Sequence, residues 1–245
     1  MTQTRPARRG PRWLQDLPRP IRSGHRGAAG LGPANTLASY QLAVELGCDL
    51  VEMDVQQLAS GELVLFHDDA IAVDGARRLV NALDLDQLRS ALAETGRELT
   101  RLDAALDLLR HRAVPLLDLK GIGFERELGE AVSAAEIDRS IVCGGPLSSL
   151  LATRAANPAI ATSLTLDGTA LVQLDAARIS AIPTDAVTAD YRHLSAVMVD
   201  LLHRNGLTVI AWTVDAADAM RVLLDWGVDG ITTNRPDTLT AVLAE

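Results

Sequence analysis

Eight short apolar runs recur along the chain, with amphipathic segments between them, and this alternation constrains the fold more than any other feature. The runs are residues 21–24, 50–55, 114–119, 140–143, 161–165, 180–183, 207–213 and 230–233. They are rich in Val, Ile and Leu and lack clean polar alternation, as expected of strands covered on both faces. The predicted helices between them cover residues 36–46, 102–110, 124–134, 147–156, 169–178, 194–204 and 216–225, with a last short one at 236–243. Gly47, Gly206 and Gly227 stand where helices should stop, and Ser195 where one should start. Eight strands alternating with helices point to a barrel or a doubly wound sheet, and the count of eight favours the barrel. Residues 63–66 also read as a strand, but they follow Val55 too closely for a crossover helix. They are expected to form a short hairpin at the rim after the second strand. Gly24-His25-Arg26-Gly27 does not have the glycine spacing of a dinucleotide-binding turn.

Composition narrows the function classes. Of 245 residues, 48% are hydrophobic and 22% charged, enough apolar material for a core. Cys48 and Cys143 are the only cysteines, which excludes a disulfide scaffold and a zinc spacing and fits two reduced, buried thiols. Residues 1–19 carry Arg5, Arg8, Arg9, Arg12 and Arg19 against Asp16 alone, and read as a flexible Arg/Pro-rich arm before a barrel domain at 20–245. The remainder holds 18 basic and 31 acidic groups, a net charge of −13. So acidic a body is a poor binder of nucleic acid or anionic lipid. No run approaches the roughly 18–20 apolar residues of a membrane span, and the basic N-terminus lacks the apolar stretch of a secretory signal. The expectation is a cytoplasmic protein, monomer or homodimer, with no stable membrane insertion, acting on a small molecule.

In such barrels chemistry belongs at the C-terminal ends of the strands, and ionisable residues gather there. His25-Arg26 follow the first predicted strand, Glu52 and Asp54 lie on the second, and His67-Asp68-Asp69 end the hairpin. Asp118 and Lys120, the only lysine in the chain, end the third, and Trp212 stands near the end of the seventh. Glu52 and Asp54 are two apart, so both point to one face of a strand; Asp118 and Lys120 share that relation. Turned toward the helices these groups would be buried without partners, at a cost of several kcal/mol each. Turned toward the mouth of the barrel they converge. Glu52 and Asp54 alone could simply pair with arginines, but with Asp118 added, a hard divalent cation such as Mg²⁺ or Ca²⁺ becomes the better reading. His25 and His67 beside that cluster suit acid–base work on a phosphate ester, with Arg26 and Lys120 as phosphate contacts. His111, His193 and His203 lie in or beside predicted helices away from the cluster and read as structural.

The stretches that carry these residues resemble the glycerophosphodiester phosphodiesterase family. They are His25-Arg26-Gly27 with Pro33-Ala34-Asn35-Thr36, Val51-Glu52-Met53-Asp54-Val55, Phe66-His67-Asp68, Leu117-Asp118-Leu119-Lys120, Ala211-Trp212-Thr213-Val214, and the run from Gly230 to Asp237. Their order matches the family over residues 21–237. The resemblance implies a single (β/α)₈ TIM barrel of the phospholipase-C-like phosphodiesterase type, which cleaves a glycerophosphodiester to glycerol 3-phosphate and an alcohol. It implies that His25 and His67 form the acid–base pair and that Glu52, Asp54 and Asp118 hold the divalent cation. Arg26 and Lys120 would contact phosphate, and Trp212 would line the pocket. The chain departs from the family pattern at Ala34, where glutamate is usual, at Asp118 for glutamate, and at Asn234 for aspartate. Gly144-Gly145 replaces Ser-Phe, and the Arg-Thr-Thr run after His67 is missing. Three other readings compete. A lysophospholipase D would need an apolar rim beside Gly144-Gly145. A non-catalytic phosphoester-binding barrel would not need both histidines. A sugar-phosphate isomerase would need a glycine-bearing phosphate loop after the last strands, which Thr233-Asn234-Arg235-Pro236 does not resemble.

Overall fold

The computed structural model describes residues 7–245. Eight parallel strands form a closed barrel: Ile21–Gly24, Leu50–Gln57, Val114–Leu119, Ser140–Gly144, Ile160–Leu166, Ala186–Asp190, Thr208–Trp212 and Gly230–Thr233. Each pairs with the next, and the first pairs with both the eighth and the second, which closes the ring. Register places Asp54 opposite Asp118 on the second and third strands, and Leu119 opposite Gly144 on the third and fourth. The carboxylates that the sequence spaces two apart are thereby brought side by side.

Helices cover the outside. Two large apolar clusters fill the space between sheet and helices, one around Val51, Met53, Leu106, Leu117 and Leu128, the other around Val187, Val199, Val209, Leu223 and Ile231. Ser195 caps its helix as expected, accepting from the Met198 N–H at 3.2 Å. Leu63–Leu65 turns back antiparallel against Val55–Gln57, forming the rim hairpin. Beyond it a second hairpin, Ala70–Val73 with Ala76–Leu79, and a helix, Leu85–Glu94, close over a small core of Leu58, Val64, Phe66, Val80 and Leu88. This second hairpin has no counterpart in the sequence reading. Among the described residues no helix is long and apolar enough to cross a membrane.

Two expectations need correction. The sixth strand is Ala186–Asp190 rather than residues 180–183, and the helix expected at 169–178 is two short ones, Gly168–Val172 and Ala176–Ser180. Ile182, which lies in the run read as a strand, packs instead with Ile179 into the helix-facing core. Residues 7–19 also differ from the arm expected at 1–19, of which 1–6 lie outside the described residues. A short helix, Arg12–Gln15, places Leu14 under the barrel, where it is fully buried against Ile21, Leu50, Val114 and Ile210. The Arg9 N–H donates to the Gly206 carbonyl at 2.8 Å.

Charge fixes the same segment. Arg8 and Arg19 both pair with buried Asp229, which also accepts from His203 Nε2 and the Val209 N–H, each at 2.8 Å. Burial alone would raise the Asp229 pKa, but the His203 and Arg8 contacts outweigh it and bring the value down from 3.8 to about 2. The folded state therefore binds fewer protons here than the unfolded chain. This contribution, about 2 kcal/mol, is present above pH ~4 and is lost as pH falls toward ~2. In urea titrations the wild type should lose stability across that window more steeply than Asp229→Asn. Equal slopes would remove Asp229 from the acid response.

Candidate active site

The C-terminal ends of the strands open into a cavity of about 410 Å³ whose wall includes His25, Arg26, Glu52, His67, Asp118, Lys120 and Trp212. Glu52, Asp54 and Asp118 each offer an oxygen to one point, with these atoms all within 4.8 Å of one another. Seven of the eight residues read from the sequence thus line one cavity, and Asp54 stands buried directly behind them.

Hydrogen bonds hold the carboxylates in place. The Arg26 N–H donates to Glu52 Oε2 at 2.8 Å, from a backbone in the left-handed region (φ 51°). Asp54 Oδ2 accepts from Asn35 Nδ2 at 2.7 Å and pairs with Arg26 Nε at 3.1 Å. Lys120 Nζ lies between the strands, 2.8 Å from Asp118 Oδ2 and 3.1 Å from Asp54 Oδ1. Asp54 Oδ1 is buried and nevertheless takes no well-aligned hydrogen bond.

The charges do not balance. Burial pushes the Glu52 carboxyl well above its ordinary range, and Asp54 and Asp118 push it the same way. Burial likewise raises Asp118, in spite of Lys120. It would raise Asp54 too, but Lys120 and then Arg26 hold that carboxylate below its ordinary value. Burial would lower the Lys120 ammonium, but Asp118 and Asp54 reverse the shift. Fully ionised, the three carboxylates would exceed the Lys120 and Arg26 cations by one negative charge, which is why Glu52 and Asp118 resist ionisation in the bare site. An all-oxygen donor set, with Asp54 Oδ1 met only by the Lys120 ammonium, fits a hard divalent cation.

His25 is fixed by a relay that the sequence reading did not include. Its Nδ1 lies 2.7 Å from Asn234 Oδ1, and Asn234 Nδ2 donates to Asp215 Oδ2 at 2.7 Å. A carboxylate only accepts, so the amide nitrogen must face Asp215 and the amide oxygen must face His25. Nδ1 therefore carries the proton, leaving the Nε2 lone pair on the Glu52 side, 3.9 Å from Oε2. Burial lowers the His25 pKa below its ordinary value against the Asn234 hydrogen bond, and Arg26 adds to the lowering. The ring is poised to be neutral at neutral pH. His67 differs: it is more exposed, and its Nδ1 lies 2.9 Å from the Asp68 carboxylate. The buried indole N–H of Trp212 has no partner among the described residues and is available to a bound oxygen.

Asn35, Asp215 and Asn234 are the supporting residues that sequence reasoning passed over. Asn35 and Asn234 both lie in the motif stretches, but only contact shows that one orients Asp54 and the other His25. Asp215 stands outside them, one residue past Val214, and reaches Asn234 across 19 residues of chain. The departures at Gly144-Gly145 also prove local to the site. The Gly144 N–H donates to Thr165 Oγ1 at 2.9 Å, and that hydroxyl meets Thr188 Oγ1 at 3.0 Å. With Asp167 these threonines place polar groups on the cavity wall beside the two glycines, next to the apolar side chain of Leu119.

Known proteins share this sequence and fold. A glycerophosphodiester phosphodiesterase of Caldanaerobacter subterraneus is 28% identical over 232 residues, covering 88% of this chain and 94% of the relative. A Bacillus subtilis glycerophosphodiester phosphodiesterase is 26% identical over 242 residues, covering 87% and 83%. The structure of a phosphodiesterase of Oleispira antarctica, in complex with the product sn-glycerol-3-phosphate, superimposes with a TM-score of 0.79 at 22% identity, covering 93% of this chain and 98% of the other. The sequence profile of the glycerophosphoryl diester phosphodiesterase family matches residues 25–238, nearly the whole barrel, and the chain belongs to that family.

Proposed function

We propose that the protein hydrolyses glycerophosphodiesters to glycerol 3-phosphate and an alcohol, by acid–base catalysis between His25 and His67 at a divalent cation. The observation that carries this reading is the convergence of one cavity wall: a neutral, oriented histidine, a second histidine paired to a carboxylate, three converging carboxylates and two cations. Glu52, Asp54 and Asp118 would hold the cation, which when bound supplies positive charge against the phosphate oxygens. Arg26 and Lys120 face the same phosphate, Arg26 as a planar fork and Lys120 as a point charge. His25, with Nδ1 tied to Asn234, presents Nε2 to take the proton of the attacking oxygen. His67, held by Asp68, protonates the leaving alcohol oxygen as the P–O bond breaks. Trp212 borders the substrate and offers its free N–H.

Thr165, Asp167 and Thr188 give the cavity wall hydrogen-bonding groups that suit a small polar alcohol. Glycerol 3-phosphate release from glycerophosphocholine and glycerophosphoethanolamine, with Mg²⁺, with Ca²⁺ or with EDTA, tests the reading. Release that EDTA abolishes is the expected result. No release with either cation would reject it, and release only from lysolipids would move the activity to that class.

Lys120 carries a prediction of its own. Lys120→Ala removes the ammonium from both Asp54 and Asp118 and should lower kcat/KM roughly 10- to 100-fold, the scale of a charged hydrogen bond. An unchanged kcat/KM would take Lys120 out of the site.

A further inference from the structure

Two departures from the family pattern, Asp118 and Gly144, meet in space. Leu119 and Gly144 are register partners on adjacent strands, so Asp118 stands beside the end of the fourth strand. Gly144 has φ 65°, and a Cβ built on it would run into Asp118 Oδ1, lie 2.9 Å from Asp118 Cγ and stand 3.0 Å from the Leu119 backbone nitrogen. No side chain could occupy that point while Asp118 keeps its place. The carboxylate fills the volume that every other residue type would take with its Cβ. Its second oxygen is held from the opposite side by Lys120 at 2.8 Å. The Gly144 N–H is already committed to Thr165, so the glycine helps position Asp118 by the space it leaves rather than by a bond.

We propose that Gly144 is a positioning residue for Asp118, and that positions 118 and 144 act as one unit setting where the third carboxylate of the site stands. The role in the site rests on the reading of Asp118 as a cation ligand; the coupling itself does not, and can be measured on the cation-free protein.

Gly145 supplies the control. It has nearly the same left-handed backbone (φ 59°), but its Cβ would meet Leu119 Cβ at 3.3 Å rather than Asp118. Alanine there strains the backbone equally without touching the carboxylate. The first experiment compares the melting temperatures of Gly144→Ala and Gly145→Ala, each made in the wild type and in Asp118→Ala. Gly144→Ala should lower Tm more than Gly145→Ala does, and most of the excess should disappear when Asp118 is alanine, leaving only the contact with the Leu119 backbone nitrogen. The second measures Mg²⁺ and Ca²⁺ binding by calorimetry. Gly144→Ala should weaken affinity roughly 10- to 100-fold, the range for residues that orient metal ligands, and Gly145→Ala should weaken it less than about threefold on the same scale.

An equal Tm loss from Gly144→Ala in both backgrounds would overturn the coupling, because the cost would then be backbone strain and the Leu119 nitrogen contact alone. If Gly144→Ala does not fold, Asp118→Ala/Gly144→Ala should, and failure of that double variant would also overturn it. Coupling in Tm with cation affinity unchanged would keep the contact but reject its role in the cation site.

Discussion

Alanine in place of His25 is expected to lower kcat by ~10²- to 10⁴-fold, the scale of a lost acid–base group. The reason lies in the relay behind the ring. Asn234 accepts from Nδ1 and is itself oriented by Asp215, so the imidazole is held in one tautomer with its other nitrogen toward the carboxylates. The ring is largely buried, and burial keeps it neutral, the form that can take a proton. Alanine removes the proton acceptor but leaves Glu52 bonded to the Arg26 N–H, and Asp54 to Asn35, so the carboxylate cluster should persist. Cation affinity should therefore stay near the wild-type value while turnover collapses. Calorimetry alongside steady-state kinetics separates the two. Wild-type kcat in the variant would remove His25 from the proton transfer, and a parallel loss of cation binding would make its role structural.

Leu14→Ala should cost about 2–5 kcal/mol of stability. Leu14 has no exposed surface and closes the end of the barrel opposite the cavity, packed on Ile21, Leu50, Val114 and Ile210. These residues face into the barrel near the start of their strands, and a tightly packed ring cannot close fully over a vacated methyl cluster. The segment around it is tied down by Arg8 and Arg19 on Asp229 and by the Arg9 N–H on Gly206, so it cannot slide to compensate. Urea denaturation should show a lower midpoint with an unchanged slope. Because Leu14 lies at the far end from His25 and Glu52, kcat of the folded enzyme should be unaffected. A stability change below about 0.5 kcal/mol, the size of an ordinary surface substitution, would show that the segment does not plug the barrel.

Much of the architecture is legible in the chain. Seven of the eight strands lie within a residue or two of their apolar runs, because strands covered on both faces need continuous Val, Ile and Leu. The sixth escaped: Ala186-Val187-Thr188-Ala189-Asp190 is built mostly of small and polar residues and lacks the Val, Ile and Leu run of the others. The neighbouring Ile182 mimics a strand while serving, with Ile179, the helix layer. The second hairpin, 70–79, escaped for a related reason: its Arg77-Arg78 strand is exposed and has no apolar face to betray it.

The site divides along the same line. Residue type and two-residue spacing suffice to pick out Glu52, Asp54, Asp118 and Lys120, since a strand puts such pairs on one face and burial forbids them the helix side. Strand ends and motif order pick out His25, Arg26 and His67. Only the closed barrel shows that Asn35, Asp215 and Asn234 hold these groups from behind, because their partners are distant in sequence and an amide's orientation is set by what it touches. Only the barrel turns the Arg-rich start of the chain into a plug, since Leu14 among arginines gains its meaning from the hole it fills. And only register explains Gly144: a missing side chain leaves no chemical trace in a sequence, whereas in three dimensions the space it leaves is occupied by the carboxylate of Asp118.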